Sequence, residues 1–91
     1  MKRVKKVVKI RNDLGLHTRP ATAIVKLLQR FRSKVEFTYK KDTINARSIM
    51  GILMLAAQKN CFITIRAEGH DADLVVEALS KAFSERFGEE S

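Results

Sequence analysis

Residues 18–39, TRPATAIVKLLQRFRSKVEFTY, change from a helical pattern to a strand pattern and thereby decide the class of fold. The apolar positions of the first part are Ala21, Ile24, Val25, Leu28 and Phe31. Their three-and-four spacing predicts an amphipathic helix over 18–30. From residue 35 onward apolar and polar residues alternate, which predicts a half-buried strand.

The segments on either side show the same two periods. Toward the N-terminus, residues 3–11 indicate a strand with Val4, Val8 and Ile10 facing inward and Lys6 as an exception. Toward the C-terminus we predict a turn over 40–42, a short strand over 43–46, a short helix in the apolar run 49–57, a strand over 61–67 and a last helix that begins after 69–71.

The predicted order of elements is therefore βαββαβα. Each helix must bury its apolar stripe, and the strands are short and alternating. We expect an α+β fold, an open-faced β-sandwich with a four-stranded antiparallel sheet and three helices on one face. No linker or repeat divides the chain, which predicts a single domain over 1–91.

Composition limits the broad class of protein. Apolar residues make up 45% of the chain and charged residues 31%, values typical of a soluble globular domain. The basic start is followed by a strand pattern instead of an apolar core, so neither a signal peptide nor a membrane span is predicted. The single cysteine, Cys61, cannot form an internal disulfide, which suggests a cytoplasmic protein. We expect a buried thiol in a strand, and a reactive thiol is the alternative.

The net charge of +8 is concentrated near the N-terminus. The basic residues there are Lys2, Arg3, Lys5, Lys6, Lys9 and Arg11. The chain lacks the aromatic segment of an RRM, the loop of a KH domain, zinc-binding cysteines and helix-turn-helix spacing, which argues against nucleic-acid recognition. We expect the charge to steer the protein toward acidic protein partners, and a merely solvated basic face is the alternative.

The segment Leu14-Gly15-Leu16-His17-Thr18-Arg19-Pro20-Ala21 places an imidazole at the first turn of the predicted helix. Pro20 suits that turn, where a missing N–H costs nothing. Free backbone N–H groups, the positive end of the helix dipole and the guanidinium of Arg19 would all lie near His17. Asp13 is the only carboxylate close in sequence, so a phosphoryl group on His17 is expected to be well received.

A plainer interpretation is that His17 only caps the helix and that Arg19 is solvated. Two features favour the anion site. Gly15 permits a close backbone approach just before the helix, and Arg19 supplies a bidentate partner for an oxyanion. The combination is more specific than a lone histidine.

Residues 15–21, Gly-Leu-His-Thr-Arg-Pro-Ala, resemble the active-site signature of the HPr family, the histidine-phosphorylated carriers of the bacterial phosphotransferase system. Residues 45–54, Asn-Ala-Arg-Ser-Ile-Met-Gly-Ile-Leu-Met, resemble the regulatory-serine segment that opens the family's second helix. The resemblance covers nearly the whole chain. One departure is the missing glycine near Lys41, where we expect a different type of turn.

The resemblance implies that Nδ1 of His17 accepts a phosphoryl group from phosphorylated enzyme I and passes it to an enzyme IIA. His17 and Arg19 would be the catalytic residues, and the N–H groups of Thr18 and Arg19 would hold the phosphate oxygens. Such a protein is a phosphoryl-transfer intermediate, not an enzyme with its own turnover. We expect a monomer without cofactor or metal that binds neither nucleic acid nor membranes.

The apolar run 49–57 is too apolar for a short helix to bury on one face, which predicts an exposed docking surface for partners. The residues that match family positions are Ile49, Met50 and Leu53. Ser48 has two interpretations that both stay open. It can cap the helix, an effect of about 1 kcal/mol. It can also be phosphorylated by a kinase/phosphorylase, which would add about two negative charges there.

Three other functions remain. The nitrogen-related branch of the same family has a Leu-Gly-x-His-x-Arg-Pro-Ala segment that this chain also resembles, and it differs only in its partners. A basic RNA-binding module is a second alternative. A regulatory adaptor that is never phosphorylated is a third, and His17 and Arg19 argue against it. His70, beside Asp71, is expected to be an exposed loop residue and not a second site.

Overall fold

The computed structural model describes residues 1–90, and its elements follow the predicted order. They are β1 (Arg3–Lys9), α1 (Thr18–Leu28), β2 (Lys34–Tyr39), β3 (Asp42–Asn45), α2 (Ile49–Met54), β4 (Phe62–Glu68) and α3 (Ala72–Ser84). The predicted order βαββαβα is confirmed. A short 3₁₀ turn, Arg86–Gly88, follows α3 and was not predicted.

The four strands form one antiparallel sheet in the order β1-β4-β2-β3. The register brings the buried side chains of neighbouring strands opposite one another, as in the pairs Val8 with Ile63 and Phe37 with Ile65. Lys6 pairs with Ile65 and still reaches solvent. It can do so because β1 is an edge strand and a lysine stem is long.

The helices cover one face of this sheet and leave the other face open. The helix residues that are buried with the strands are Ala21, Ile24, Leu28, Ile52, Ala72, Val75, Val76, Leu79 and Phe83. Phe83 of α3 meets Phe37 of β2 edge-on, with ring centroids 5.9 Å apart. The predicted open-faced β-sandwich is confirmed. Along each strand buried and more exposed residues alternate, and the more exposed ones form the open face.

Arg47 closes the C-terminal end of α1. Its guanidinium donates to the carbonyl oxygens of Leu28, Phe31 and Ser33 at 2.8–2.9 Å. The last carbonyls of a helix lack intrahelical partners, and a cation is favourable beside them. The helix ends at Leu28, two residues before the predicted end at 30, and the N–H groups of Arg30 and Phe31 bond to carbonyls only three residues back.

The hairpin between β2 and β3 turns without a glycine. Tyr39 pairs with Asp42, so only residues 40 and 41 form the turn. Lys40 takes a φ of 55°, a left-handed conformation that glycine usually supplies. This hairpin lies outside the loop that carries His17.

Cys61 precedes β4 and is half-buried, whereas a buried thiol within the strand was expected. Its sulfur accepts a hydrogen bond from the hydroxyl of Tyr39 at 3.4 Å. The alternation of β4 places the inward residues Ile63 and Ile65 in the core, whereas Cys61 lies just before the strand and is only partly buried against that core.

Candidate functional site

The loop that carries His17 is held against the segment after α2. The N–H of Leu16 donates to the carbonyl of Ala57 at 3.0 Å, and the side chain of Leu16 is buried. Gly15 has a φ of +66°, and a Cβ at this position would lie 2.3 Å from the carbonyl oxygen of Ala57. The predicted close approach at Gly15 is confirmed, and it sets the position from which His17 enters α1.

His17 is the N-cap residue of α1, with φ −83° and ψ −168°. The first bond inside the helix runs from the N–H of Ala21 to the carbonyl of His17 at 3.0 Å. The N–H groups of Thr18 and Arg19 therefore have no intrahelical acceptor, and Pro20 has no N–H to satisfy. Within residues 1–90 no side chain caps this end. The positive end of α1 is open beside the imidazole, as predicted.

Arg19 projects from the first turn of α1 with 80% of its side chain exposed. A shallow surface depression beside it is lined by Thr18, Arg19, Thr22, Ala23, Lys26, Phe87 and Glu89. The guanidinium is thus free to reach an anion bound at the helix start, and Lys26 adds a second positive charge two turns further along the helix.

The carboxylate nearest to His17 comes from the other end of the chain. Oε2 of Glu89 lies 3.1 Å from Nε2 of His17, and Oε1 lies 3.2 Å from the same nitrogen. Oε1 also accepts from Nδ2 of Asn12 at 2.6 Å, and Oε2 is 4.0 Å from Nε of Arg19. Asp13 is the carboxylate close to His17 in sequence, but Glu89 is the one that the fold brings to the imidazole, because proximity in sequence does not report folding contacts.

Glu89 is directed to the site by the segment that follows α3. Arg86, Phe87 and Gly88 all have positive φ values of 55°, 53° and 82°. The ring of Phe87 packs on Phe83 with centroids 4.8 Å apart, which holds this unusual backbone in place. No periodicity marks the segment, so sequence analysis missed it. The single available signal was Gly88, since glycine favours such a turn.

Asp13 pairs with Lys59, whose Nζ lies 2.5 Å from its Oδ1. The hydrogen bond and the positive charge of Lys59 lower the pKa of Asp13 below its ordinary value. The charge of this carboxylate is thus compensated by its own partner. Asp13 contributes little to the electrostatics at the imidazole.

Ser48 is the N-cap of α2, as predicted, and its Oγ accepts from the N–H of Gly51 at 2.9 Å. Around it the apolar side chains divide. Met50 is 68% exposed and Ile49 38%, whereas Leu53 is half-buried against the core. Met54, which was not among the predicted docking residues, is 74% exposed. Leu14, in the loop before His17, is exposed as well.

Other groups lie away from this site. His70 is exposed in the loop between β4 and α3, as expected. Over residues 1–90, no three His, Cys, Asp or Glu side chains come together in a way that could hold a metal ion. In the same part of the chain, no helix has the length and apolar character needed to cross a membrane.

Comparison with known proteins places the chain in one family. The family described as PTS HPr component phosphorylation site matches residues 4–85. The phosphocarrier protein HPr of Chlamydia muridarum is 48% identical over 80 residues, which span 88% of this chain and 77% of that protein.

Solved structures agree with this match. HPr-C-His of Thermoanaerobacter tengcongensis superposes with a TM-score of 0.89 and 35% identity over all of both chains. An HPr dimer from the same organism superposes with a TM-score of 0.76 and is 34% identical. The match covers 90% of this chain and 94% of that one. The expected monomer is therefore not general among these neighbours. The family match, the similar HPr sequence and the shared fold show that this chain belongs to the HPr family of phosphocarriers of the phosphotransferase system.

Proposed function

We propose that the protein carries a phosphoryl group on His17, accepts it from phosphorylated enzyme I and passes it to an enzyme IIA. The observation that supports this most is the position of the His17 ring at the open N-terminal end of α1. Oxygens of a phosphoryl group there would meet the N–H groups of Thr18 and Arg19. Membership in the HPr family supports the same chemistry.

His17 is the nucleophile in this proposal, and Nδ1 is the atom that carries phosphorus. Nε2 already faces the carboxylate of Glu89, so Nδ1 is the ring nitrogen left for the transfer. Arg19, exposed and close by, stabilises the charge that develops on the phosphoryl oxygens. Catalysis then consists of positioning and charge stabilisation, which phosphoryl transfer mainly requires.

The partner surface is proposed to include Ile49, Met50 and Leu53 of α2. The side chains of Met50 and Ile49 are exposed, which supports their place in this surface. Met54 and Leu14 are exposed as well, and we include them in it. The bond between Leu16 and the segment after α2 joins this apolar surface to the loop that carries His17. Flexible methionines suit a surface that must fit more than one partner.

Ser48 is proposed as a regulatory phosphorylation site on the edge of that surface. Its position as the N-cap of α2 places a phosphate next to Ile49 and Met50. Its Oγ accepts from the N–H of Gly51, so a phosphate on this oxygen would lie at the first turn of α2. The added charge would oppose docking of an apolar partner surface.

The carrier reaction is tested by incubation with enzyme I and phosphoenolpyruvate. We expect one acid-labile phosphoryl group per chain, and none on His17→Ala, because that variant lacks the nucleophile. The matched control is His70→Ala, which removes an exposed histidine of the same chain and should be labelled normally. Circular dichroism checks that both variants are folded. Normal labelling of His17→Ala would refute the proposal.

A further inference from the structure

We propose that Glu89 is a positioning residue for phosphoryl transfer, because its carboxylate accepts the Nε2–H of His17 and leaves the lone pair of Nδ1 free to attack phosphorus. This inference rests on the proposed carrier function. It assigns a role to a residue beyond the part of the chain that the family profile matches, residues 4–85.

The geometry selects one tautomer of the imidazole. Both carboxylate oxygens of Glu89 lie within hydrogen-bond distance of Nε2, at 3.1 and 3.2 Å. An ionised carboxylate can only accept, so Nε2 must be the nitrogen that carries the proton. In a neutral imidazole the other nitrogen, Nδ1, then holds the lone pair. The nucleophilic atom is thus set by a residue that never touches phosphorus.

The carboxylate is itself held in place by neighbours. Asn12 is fully buried, and its Nδ2 donates both to Oε1 of Glu89 at 2.6 Å and to the carbonyl of Arg86 at 2.8 Å. Only 13% of the Glu89 side chain is exposed. Phe87 anchors the segment on Phe83. A second layer of contacts of this kind orients a reactive imidazole in the way that supporting residues orient metal-bound histidines.

The same contact balances charge during the transfer. The lone pair of Nδ1 forms the N–P bond while the bond from phosphorus to the leaving atom of the phosphorylated donor breaks, and its electron pair stays on the donor. Nε2 keeps its proton, so the ring becomes positively charged. The carboxylate of Glu89 faces that charge at close range, and the phosphoryl oxygens face the start of α1. When the group is passed on, the ring returns to the neutral tautomer.

Glu89 could instead act as a competitor. Its Oε2 lies 4.0 Å from Nε of Arg19, so it could occupy the cation that an incoming phosphoryl group needs. The distance to Arg19 is longer than either distance to Nε2, and the Arg19 side chain is 80% exposed and free to move. The observations therefore favour orientation of His17. A competitor would make transfer faster when removed, which separates the two roles.

The test compares Glu89→Ala and Glu89→Gln with Glu90→Ala and Glu90→Gln. The two Glu89 variants and the two Glu90 variants each remove one negative charge, at adjacent positions. The Glu90 variants are the control, because the Glu90 side chain is exposed. We expect the rate constant for phosphoryl transfer at saturating donor to fall about tenfold in Glu89→Ala, equivalent to about 1.4 kcal/mol. Glu89→Gln, which keeps an acceptor but not the charge, should be intermediate, and the Glu90 variants should match the unmodified chain.

The tautomer is measured separately, by the ¹⁵N chemical shifts of His17 without any donor. The unmodified chain should show the Nε2–H form, and Glu89→Ala should show a larger share of the Nδ1–H form. Unchanged tautomer populations, unchanged transfer or faster transfer in Glu89→Ala would each overturn the inference. Because this readout needs no phosphorylation, it stays informative if the carrier function itself fails. Thermal unfolding confirms that the variants are folded.

Discussion

At the scale of single residues, Asp71 connects two loops that are distant in sequence. Its carboxylate accepts from the backbone N–H groups of Arg32 and Ser33 at 2.9 and 3.0 Å and from the hydroxyl of Ser33. Gly69 lies against the same serine, where a Cβ would be 2.6 Å from its Oγ. The hydrogen bond from the Ser33 hydroxyl and then the one from the Arg32 N–H lower the pKa of Asp71 below 3.8.

We predict that Asp71→Asn lowers the thermal unfolding midpoint by several degrees at about pH 7 and has a smaller effect in acid. Because the pKa of Asp71 is lowered by folding, the stability it contributes is complete above 3.8 and is lost as the pH falls through the lowered value. Thermal unfolding of both chains between about pH 7 and about pH 2 measures the difference. The control Asp42→Asn changes an exposed carboxylate of β3. A difference for Asp71→Asn that does not vary with pH would contradict this prediction.

At the scale of elements, the ends of the helices explain why the two functional segments lie where they do. Pro20 and the tight loop at Gly15 start α1 at His17. Arg47 ends the same helix, and the next residue, Ser48, starts α2 through its bond to Gly51. One short connection thus stops one helix and begins another. A change at Ser48 can therefore alter the partner surface without disturbing α1.

We predict that Ser48→Asp and Ser48→Ala separate stability from transfer. An Asp side chain can still accept from the N–H of Gly51 and suits the helix dipole, so this variant should unfold at the same temperature as the unmodified chain or higher. Ser48→Ala loses the cap and about 1 kcal/mol of stability. Phosphorylation at His17 by enzyme I should be much slower for the Asp variant, because it adds charge beside Ile49 and Met50.

The measurements are the thermal midpoint of each Ser48 variant and the initial rate of labelling of His17. Ser48→Ala serves as the uncharged control and should be labelled at close to the normal rate. If Ser48→Asp is labelled as fast as the unmodified chain, Ser48 is only a helix cap.

At the scale of the whole molecule, the net charge of +8 is distributed unevenly. The open face of the sheet carries Arg3, Lys5 and Lys9 of β1. They pair with β4 residues that alternate with the buried residues of that strand and therefore point to the opposite side of the sheet. Glu68 pairs with Arg3 at 3.4 Å but both side chains remain exposed, so the pair is screened by water. The open face is therefore mainly basic and free of helices.

We predict that transfer from enzyme I slows as ionic strength rises. Between about 0.01 M and about 0.15 M salt, the Debye length falls from about 30 Å to about 8 Å, which weakens steering by exposed charges. The rate constant below saturation should fall several-fold, while the thermal midpoint should change little. Stopped-flow phosphorylation and thermal unfolding at the same salt concentrations measure the two. Salt-independent transfer, or tight binding of arbitrary RNA at physiological salt, would contradict steering toward a protein partner.

The sequence by itself determined the features that depend on neighbours a few residues apart. Alternation at Val35 and Phe37 predicted β2, and the three-and-four spacing from Ala21 to Phe31 predicted α1. Caps are equally local, since His17 bonds to Ala21 and Ser48 to Gly51. Both were recognisable because the period and the capping residue stand next to each other in the chain.

Only the tertiary structure decided what surrounds His17. Glu89 is separated from it by 72 positions and reaches it through left-handed residues such as Phe87, which no local pattern predicts. The exposure of Met54 in place of Leu53 likewise depends on how α2 packs on its neighbours. Periodicity reports which side of an element is buried, but the contacts between chain ends and loops follow from packing the whole chain, and the electrostatics of the site follow from those contacts.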